Sequence, residues 1–439
     1  MKLSKITAYA AIFMMAFMPV LYLLILKNSS VDFSNFSSSM RSFGKILGLS
    51  GIVLFSLTFF LNTRLKSFEK IFGGMDKAYR IHHNLGTFAF LLVLFHPIFL
   101  SLQFFAFSIK AAAEFFYSFN NFPVSLGIFA LLSMTLFLLL TFFSVLKYQN
   151  WKFTHRLLGI SFILASLHIL LIPSDVSGNY FLRAYMIVFI LIGLGSYSYR
   201  TLFWKFLVKR QDYKIKSVKL LGSINEIRLE PKNSPLEFRP GQFVFVSFNS
   251  KITTKEPHPF TISSSCHKKE IIFSIKKLGD FTGKLKELRE GIDAKLEGPY
   301  GKFSFVDYPS EDYLFIAGGI GITPFLSMAR SISDAPEEYS FKSIDLYYSV
   351  KKEKEAVFLK ELENISKNLP KNKKLNIFLH VSDKKGHIDS KYILGNSKTL
   401  NDRNIFICGP PAMMESLKKQ FILSGVKKNK IKTEEFALL

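Results

Sequence analysis

Histidines are the first residues in this chain whose type and spacing suggest chemistry. The stretch YRIHHNLGTFAFLLVLFHPIF, Tyr79 to Phe99, is apolar enough for a bilayer yet carries His82, His83 and His96. A second stretch, HRLLGISFILASLHILL, begins at His155 and repeats a histidine at His168. His82, Leu85 and Gly86 match His155, Leu158 and Gly159, and the far histidine follows fourteen positions on in the first stretch and thirteen in the second. A single intramembrane histidine is ordinarily a hydrogen-bond partner between helices. Two matched pairs point elsewhere, because neutral imidazoles from facing helices are suitable axial ligands for haem iron. At about 1.5 Å per residue the two levels lie roughly 20 Å apart, which suits two stacked haems in a hydrocarbon core about 30 Å thick. His82, His96, His155 and His168 are therefore the candidate iron ligands. His83 is a rival to His82, which the shared His-x-x-Leu-Gly pattern favours.

Those histidines need helices to hold them. Hydrophobic residues make up 49% of the chain and crowd into its first 205 positions, where apolar runs at about 6–26, 45–62, 82–106, 122–146, 154–172 and 181–203 each approach the roughly 20 residues that a bilayer requires. The first run lacks a small-residue cleavage site and is expected to be a retained helix. Fourteen Lys and Arg near the helix ends on one side against five on the other predict that both termini are cytoplasmic. The third and fifth helices then run in the same direction, with His82 and His155 at the cytoplasmic level and His96 and His168 at the outer one. One detail strains this scheme. At about 100° per residue, fourteen steps return within roughly 40° of the starting face but thirteen miss it by about 140°, so the fifth helix must tighten or bend. The net charge of +24 follows partly from the same cytoplasmic bias, and no RNA or DNA motif accompanies it.

From about residue 211 the chain is Lys-rich and mixed. FRPGQFVFVSF at 238–248 shows strand alternation around a Pro-Gly turn, and PHPFTISSS at 257–265 adds a polar-aromatic cluster. SIKKLGDFTGKLKEL at 274–288 reads as a strand, a Gly-Asp turn and a helix start at Thr282, whose free N–H groups suit a pyrophosphate. YLFIAGGIGITPFLSMARSI at 313–332 is a buried strand, a Gly-rich turn and a helix, the phosphate-binding start of a doubly wound α/β domain. There Gly318, Gly319 and Gly321 permit close backbone approach, while Thr323 and Pro324 start the helix. SIDLYYSV, FLKELENI and NIFICGPPAMMESLKKQF supply a strand, a helix and a strand-turn-helix, with Cys408 at the mouth of the sheet where ligands bind. Lys351 and Lys352, after YYSV, offer charge for a 2′-phosphate, or else simply open a solvated helix. Cys266 and Cys408 have no C-x-x-C partner, so neither a disulfide nor an iron–sulfur site is indicated.

The order of these pieces resembles the ferric reductase and NADPH oxidase superfamily, from about Phe43 to Phe436. The resemblance implies a membrane all-α six-helix haem-binding bundle at 1–206, a β-barrel FAD-binding domain at 207–308 and a doubly wound α/β NAD(P)-binding domain at 309–439. It implies that His258, Pro259, Phe260 and Thr261 hold the flavin of FAD, and that Gly279, Asp280, Phe281 and Thr282 lie at its pyrophosphate. The segment Gly318 to Pro324, with Cys408, Gly409 and Pro410, would receive the nicotinamide nucleotide, Cys408 beside nicotinamide C4 and Phe436 over the flavin ring. The implied activity is electron transfer from NADPH or NADH through FAD and two b-type haems across the plasma membrane, with the dehydrogenase module cytoplasmic. The acceptor stays open between dioxygen, a ferric or cupric complex and a partner protein. The outer loops, about 27–44, 107–121 and 173–180, are short and polar, which favours a small acceptor, dioxygen first. No nucleic acid and no obligatory protein partner are expected.

Overall fold

Apolar runs with no internal water to bond to must satisfy their own backbone, and in a computed structural model of the chain they do so as helices. It describes residues 5–25, 31–117, 119–143, 146, 148–397, 400 and 402–434. The chain divides into two compact units, one of residues 1–73 and 77–207, the other of residues 74–76 and 208–439. Among the described residues, six helices are long and apolar enough to cross a membrane.

The first unit holds those six spans, apart from Met75 and Asp76 at the start of the third. They are Lys5–Ile25, Phe36–Leu61, Met75–Leu102, Phe122–Phe143, a fifth made of Tyr148–Arg156 and Leu158–Leu171, and Tyr180–Ser198. The second begins nine residues before its apolar run. Asn35 caps it, its side chain accepting from the Ser38 amide at 2.9 Å while the Ser38 hydroxyl returns to the Asn35 amide. Backbone bonding therefore carries the helix through the polar segment Ser37–Arg41, which hydropathy alone leaves outside. The third starts at Met75, seven residues ahead of His82, and stops at Leu102 rather than Ala106. The fifth is interrupted at Leu157, whose amide is shared between the carbonyls of Phe153 and Thr154, and Ile160 bonds back to Leu157. These three-residue closures wind the chain by about 120° per residue, the sense of tightening that a thirteen-step histidine spacing demands.

Glycines set the approach of the second span to the third. A Cβ on Gly44 would meet Leu100 at 2.6 Å, one on Gly48 would meet His96 at 2.7 Å, and one on Gly51 would meet Val93 at 2.8 Å. This small-residue stripe lets two backbones close where lipid offers no hydrophobic drive.

In the second unit, β1 (Gln211–Leu221), β2 (Ile224–Pro231), β3 (Phe243–Phe248), β4 (His258–Thr261), β5 (Ile271–Lys276) and β6 (Asp293–Tyr300) form an antiparallel sheet in the order β4-β3-β6-β1-β2-β5. Its two edges meet through a bridge between Ile262 and Phe273, so the sheet curls on itself around Tyr213, Ile227, Val244, Phe248 and Phe273. Residues alternate less than the sequence suggests. In β3 all but Ser247 are buried, since closure covers its outer face as well.

The remaining strands are β7 (Asp312–Gly318), β8 (Ser343–Val350), β9 (Lys374–Val381), β10 (Asn404–Cys408) and β11 (Ile431–Glu434), parallel in the order β11-β10-β7-β8-β9. Helices Thr323–Asp334, Leu359–Asn368 and Pro411–Leu423 accompany them, as parallel strands buried on both faces require. The strand order reverses beside β7, and ligand crevices form outside the carboxyl ends of strands at such a point.

Candidate functional site

The histidines meet in two pairs. His82 and His155 face each other with ring centroids 6.2 Å apart and planes at 74°; His96 and His168 do so at 6.5 Å and 68°. His83 points elsewhere, exposed and against the Phe142 ring at 6.2 Å. Nδ1 of His82 lies 2.9 Å from the Thr58 carbonyl, that of His96 2.7 Å from Gly44 and that of His168 2.7 Å from Pro123. A carbonyl only accepts, so in these three rings Nδ1 carries the proton and Nε2 keeps a lone pair. His155 differs. Its Nδ1 has no hydrogen-bond partner among the described residues, and its ring instead lies parallel to Trp151, 6° between planes and 5.7 Å between centroids.

These spacings test the fit of haem. Metal–imidazole bonds of about 2 Å, with about 1.1 Å from each nitrogen to its ring centre, would hold two rings about 6.2 Å apart across one iron. Both pairs sit at that separation, and two nitrogens are the donors that an iron already bound by four porphyrin nitrogens lacks. Direct hydrogen bonding between the rings would draw them closer. Gly48 and Gly127 make the room, since a Cβ on either would fall 2.7 and 2.9 Å from the His96 and His168 rings.

In the curled sheet, β4 pairs with β3 so that His258 opposes Val246 and Thr261 opposes Phe243. The segment at 279–282 comes to the same place. The Phe281 ring stacks on His258 at 3.7 Å and on Phe260 at 6.2 Å. The short helix there begins at Asp280, two residues earlier than the sequence indicates. Thr282 explains the shift, because its hydroxyl accepts from the amides of Leu278 and Gly279 and donates to the Gly279 carbonyl, closing the turn at once. Two backbone amides of this turn, those of Leu278 and Gly279, are thus taken by the Thr282 hydroxyl. Asn225 on β2, which the sequence motifs do not include, donates to the Thr282 carbonyl at 3.3 Å.

In the parallel sheet the two Gly turns lie backbone against backbone. A Cβ on Gly321 would come 2.3 Å from the Cys408 carbonyl oxygen, one on Gly409 2.9 Å from Gly318, and one on Gly318 2.8 Å from Met413 and Pro410. Thr323 turns its hydroxyl to the Ile320 carbonyl, and Pro324 sits in the first helical turn. Cys408 ends β10 fully buried, its thiol 3.7 Å from the carbonyl of Glu434, itself a buried carboxylate that no motif singled out. Gly319 alone of this turn has positive φ, 54°. Lys351 and Lys352 follow β8 and are exposed. The Asp383 amide bonds the Lys351 carbonyl at 3.2 Å, bringing the loop after β9, with Lys384 and Lys385, alongside. Phe436 lies outside the described residues.

Comparison with known proteins follows the same division. Residues 47–166 match the ferric reductase like transmembrane component, residues 210–309 an FAD-binding domain and residues 315–419 the oxidoreductase NAD-binding domain. Ferric reduction oxidase 5 of Arabidopsis thaliana is 26% identical over 310 residues, 69% of this chain and 42% of that protein. The reductase subunit of glycine betaine monooxygenase from Pseudomonas aeruginosa is 28% identical over 198 residues, 41% of this chain and 51% of that subunit. The chain thus spans about half, or less, of the length of these curated relatives. A crystal structure of flavohemoglobin from Malassezia yamatoensis with bound FAD and heme has the same fold at a TM-score of 0.51, with 16% identity over 92% of this chain and 99% of that one.

Proposed function

We propose, for a chain that belongs to the ferric reductase and NADPH oxidase superfamily by the domains it carries, that it moves electrons from cytosolic NAD(P)H across a membrane to an extracytoplasmic acceptor. The observation that carries this reading is the double pairing of His82 with His155 and of His96 with His168 at 6.2 and 6.5 Å on the same two spans. Bound FAD would supply hydride acceptance and one-electron release, and haem iron held by His82 with His155 and by His96 with His168 would supply one-electron relay.

The chain's part is to bind, orient and insulate. Thr58, Gly44 and Pro123 fix the tautomer of three ligand rings through Nδ1, which also raises the basicity of the ligating nitrogen. The strand His258–Thr261 and the turn Gly279–Thr282 form the flavin cradle, and Phe281 joins them. Gly318, Gly319, Gly321 and Thr323, Pro324 with Cys408, Gly409 and Pro410 admit the nucleotide, and the small size of the glycines lets its phosphates approach the backbone. Lys and Arg bias supports a cytoplasmic position at the plasma membrane for this module and both termini.

Dioxygen, yielding superoxide, is the first reading of the acceptor, the short outer loops counting against a partner protein. A ferric complex is the second reading, favoured by the similarity to a plant protein named for ferric reduction. Purified protein given NADPH decides between them. Dye reduction abolished by superoxide dismutase supports dioxygen, whereas turnover only with a Fe(III) chelate supports the second. Failure of NADPH and NADH to reduce the bound flavin would sink both.

A further inference from the structure

The helix Thr323–Asp334 begins at the Gly-rich nucleotide turn and runs past the curled sheet. Ser327, Arg330 and Ser331 stand three and four residues apart and so share one face. Each reaches the segment that follows the flavin strand β4. Ser327 Oγ donates to the Ser264 carbonyl at 2.8 Å, Arg330 Nη1 to the Ser263 carbonyl at 2.9 Å, and Ser331 Oγ accepts from the Cys266 amide at 3.1 Å. Ser263 is two residues beyond Thr261, the last of the flavin-strand residues.

Charge holds this face in place. The Arg330 guanidinium forms a two-pronged bond with Glu361, at 2.6 and 2.9 Å, and lies 3.8 Å from Glu226 of β2, a carboxylate that is buried and also takes Arg228 at 3.0 Å. Ser327 and Ser331 are fully buried, so their hydroxyls have no water to fall back on. Beyond them the Tyr339 phenol meets His267 at 2.9 Å and the Cys266 thiol at 3.4 Å. Burial first, and then the Cys266 thiol beside it, push that phenol up, so it stays neutral and bonds the His267 ring.

Hydride transfer tolerates little error. The reacting atoms must approach to about 3–3.5 Å, and a misplacement of about 1 Å can cost roughly a hundredfold in rate. The nicotinamide and the flavin are held by different sheets. A rigid link is therefore needed between the helix that begins at one site and the strand that ends at the other.

We infer that Ser327, Arg330 and Ser331 form a latch onto Ser263–Cys266 that sets the register of nicotinamide against flavin, with Arg330 as its central positioning residue. The inference rests on the proposed transfer from NAD(P)H to FAD. It concerns residues outside the flavin and nucleotide segments named above, so their loss is expected to act on geometry rather than on occupancy.

The test uses the full-length protein with FAD and haem, mixed anaerobically with NADPH while flavin absorbance is followed. Arg330→Gln is expected to keep its FAD content and its KM for NADPH within about twofold, while the limiting rate of flavin reduction falls about tenfold or more and the long-wavelength charge-transfer absorbance weakens. Arg330→Lys, which retains a donor for Ser263, is expected to recover part of that rate. Wild-type rate and charge-transfer absorbance in Arg330→Gln would overturn the inference, as would a defect confined to KM. Should Arg330→Gln fail to fold, the pair Ser327→Ala and Ser331→Ala removes two links without stranding a buried charge. Slowed flavin reduction there supports the latch, and an unchanged rate overturns it. If the unaltered protein shows no flavin reduction by NADPH or NADH, it is the proposed function that fails.

Discussion

Gly48 and His96 compete for one space. A Cβ on Gly48 would lie 2.7 Å from His96 Nδ1, the atom that donates to the Gly44 carbonyl at 2.7 Å. Gly127 stands to His168 in the same relation, at 2.9 Å. The imidazole positions are therefore set as much by what is missing on the facing helices as by the histidines themselves.

Gly48→Ala should push the His96 ring off its carbonyl and lose the outer haem, leaving about one haem per protein instead of two. Gly86→Ala, where nothing lies within 4 Å of the added carbon, is the control. A pyridine haemochrome assay against protein concentration reads the ratio, and two haems in Gly48→Ala would show that the close contact is not limiting.

His155→Ala should remove the inner haem and His168→Ala the outer one, each losing about half of the haem. His83→Ala should keep both, since its ring faces Phe142 and not His155. Absorbance spectra of the reduced proteins test this, and either ligand variant retaining both haems defeats the assignment.

Phe281→Ala removes the ring stacked on His258 at 3.7 Å. Stacking of this kind contributes about 1 kcal/mol, so FAD affinity should weaken about fivefold. Fluorescence titration of the FAD-depleted protein measures it, with haem content unchanged as the internal check. Unaltered FAD affinity would remove Phe281 from the cradle.

Gly321→Ala places a carbon 2.3 Å from the Cys408 carbonyl oxygen, and the Cys408 backbone is held between β7 and β11. Overpacking should cost about 1–3 kcal/mol of stability and lower NADPH-driven flavin reduction, while dithionite still reduces the haems. Thermal denaturation together with anaerobic reduction reports both effects.

Lys351→Ala with Lys352→Ala should lower kcat/KM for NADPH about tenfold and leave NADH unchanged, if these lysines hold a 2′-phosphate. Equal efficiencies with the two nucleotides in the unaltered protein would deny them that role.

Much of this was legible along the chain. Hydropathy marks six spans because a bilayer imposes length, and periodic strands with Gly-rich turns mark the nucleotide-binding sheet because parallel strands are buried on both faces. The paired histidines are visible because helical rise converts sequence spacing into depth. What lies across the chain was not. The second span runs nine residues further toward the N-terminus because Asn35 and Ser38 cap it, and hydropathy does not register a hydrogen bond. The interruption at Leu157 reflects one amide shared between two carbonyls, which the sequence does not announce. His82 and not His83 turns toward His155, a choice made by the Thr58 carbonyl on another helix. Likewise Phe281 meets His258 because the first sheet curls on itself, and Arg330 meets Ser263 because the helix after β7 packs on the segment after β4. Local pattern decides which elements form and how deep each residue sits. The facing partner decides where its side chain points, since that depends on backbone groups and vacancies contributed by segments tens of residues away.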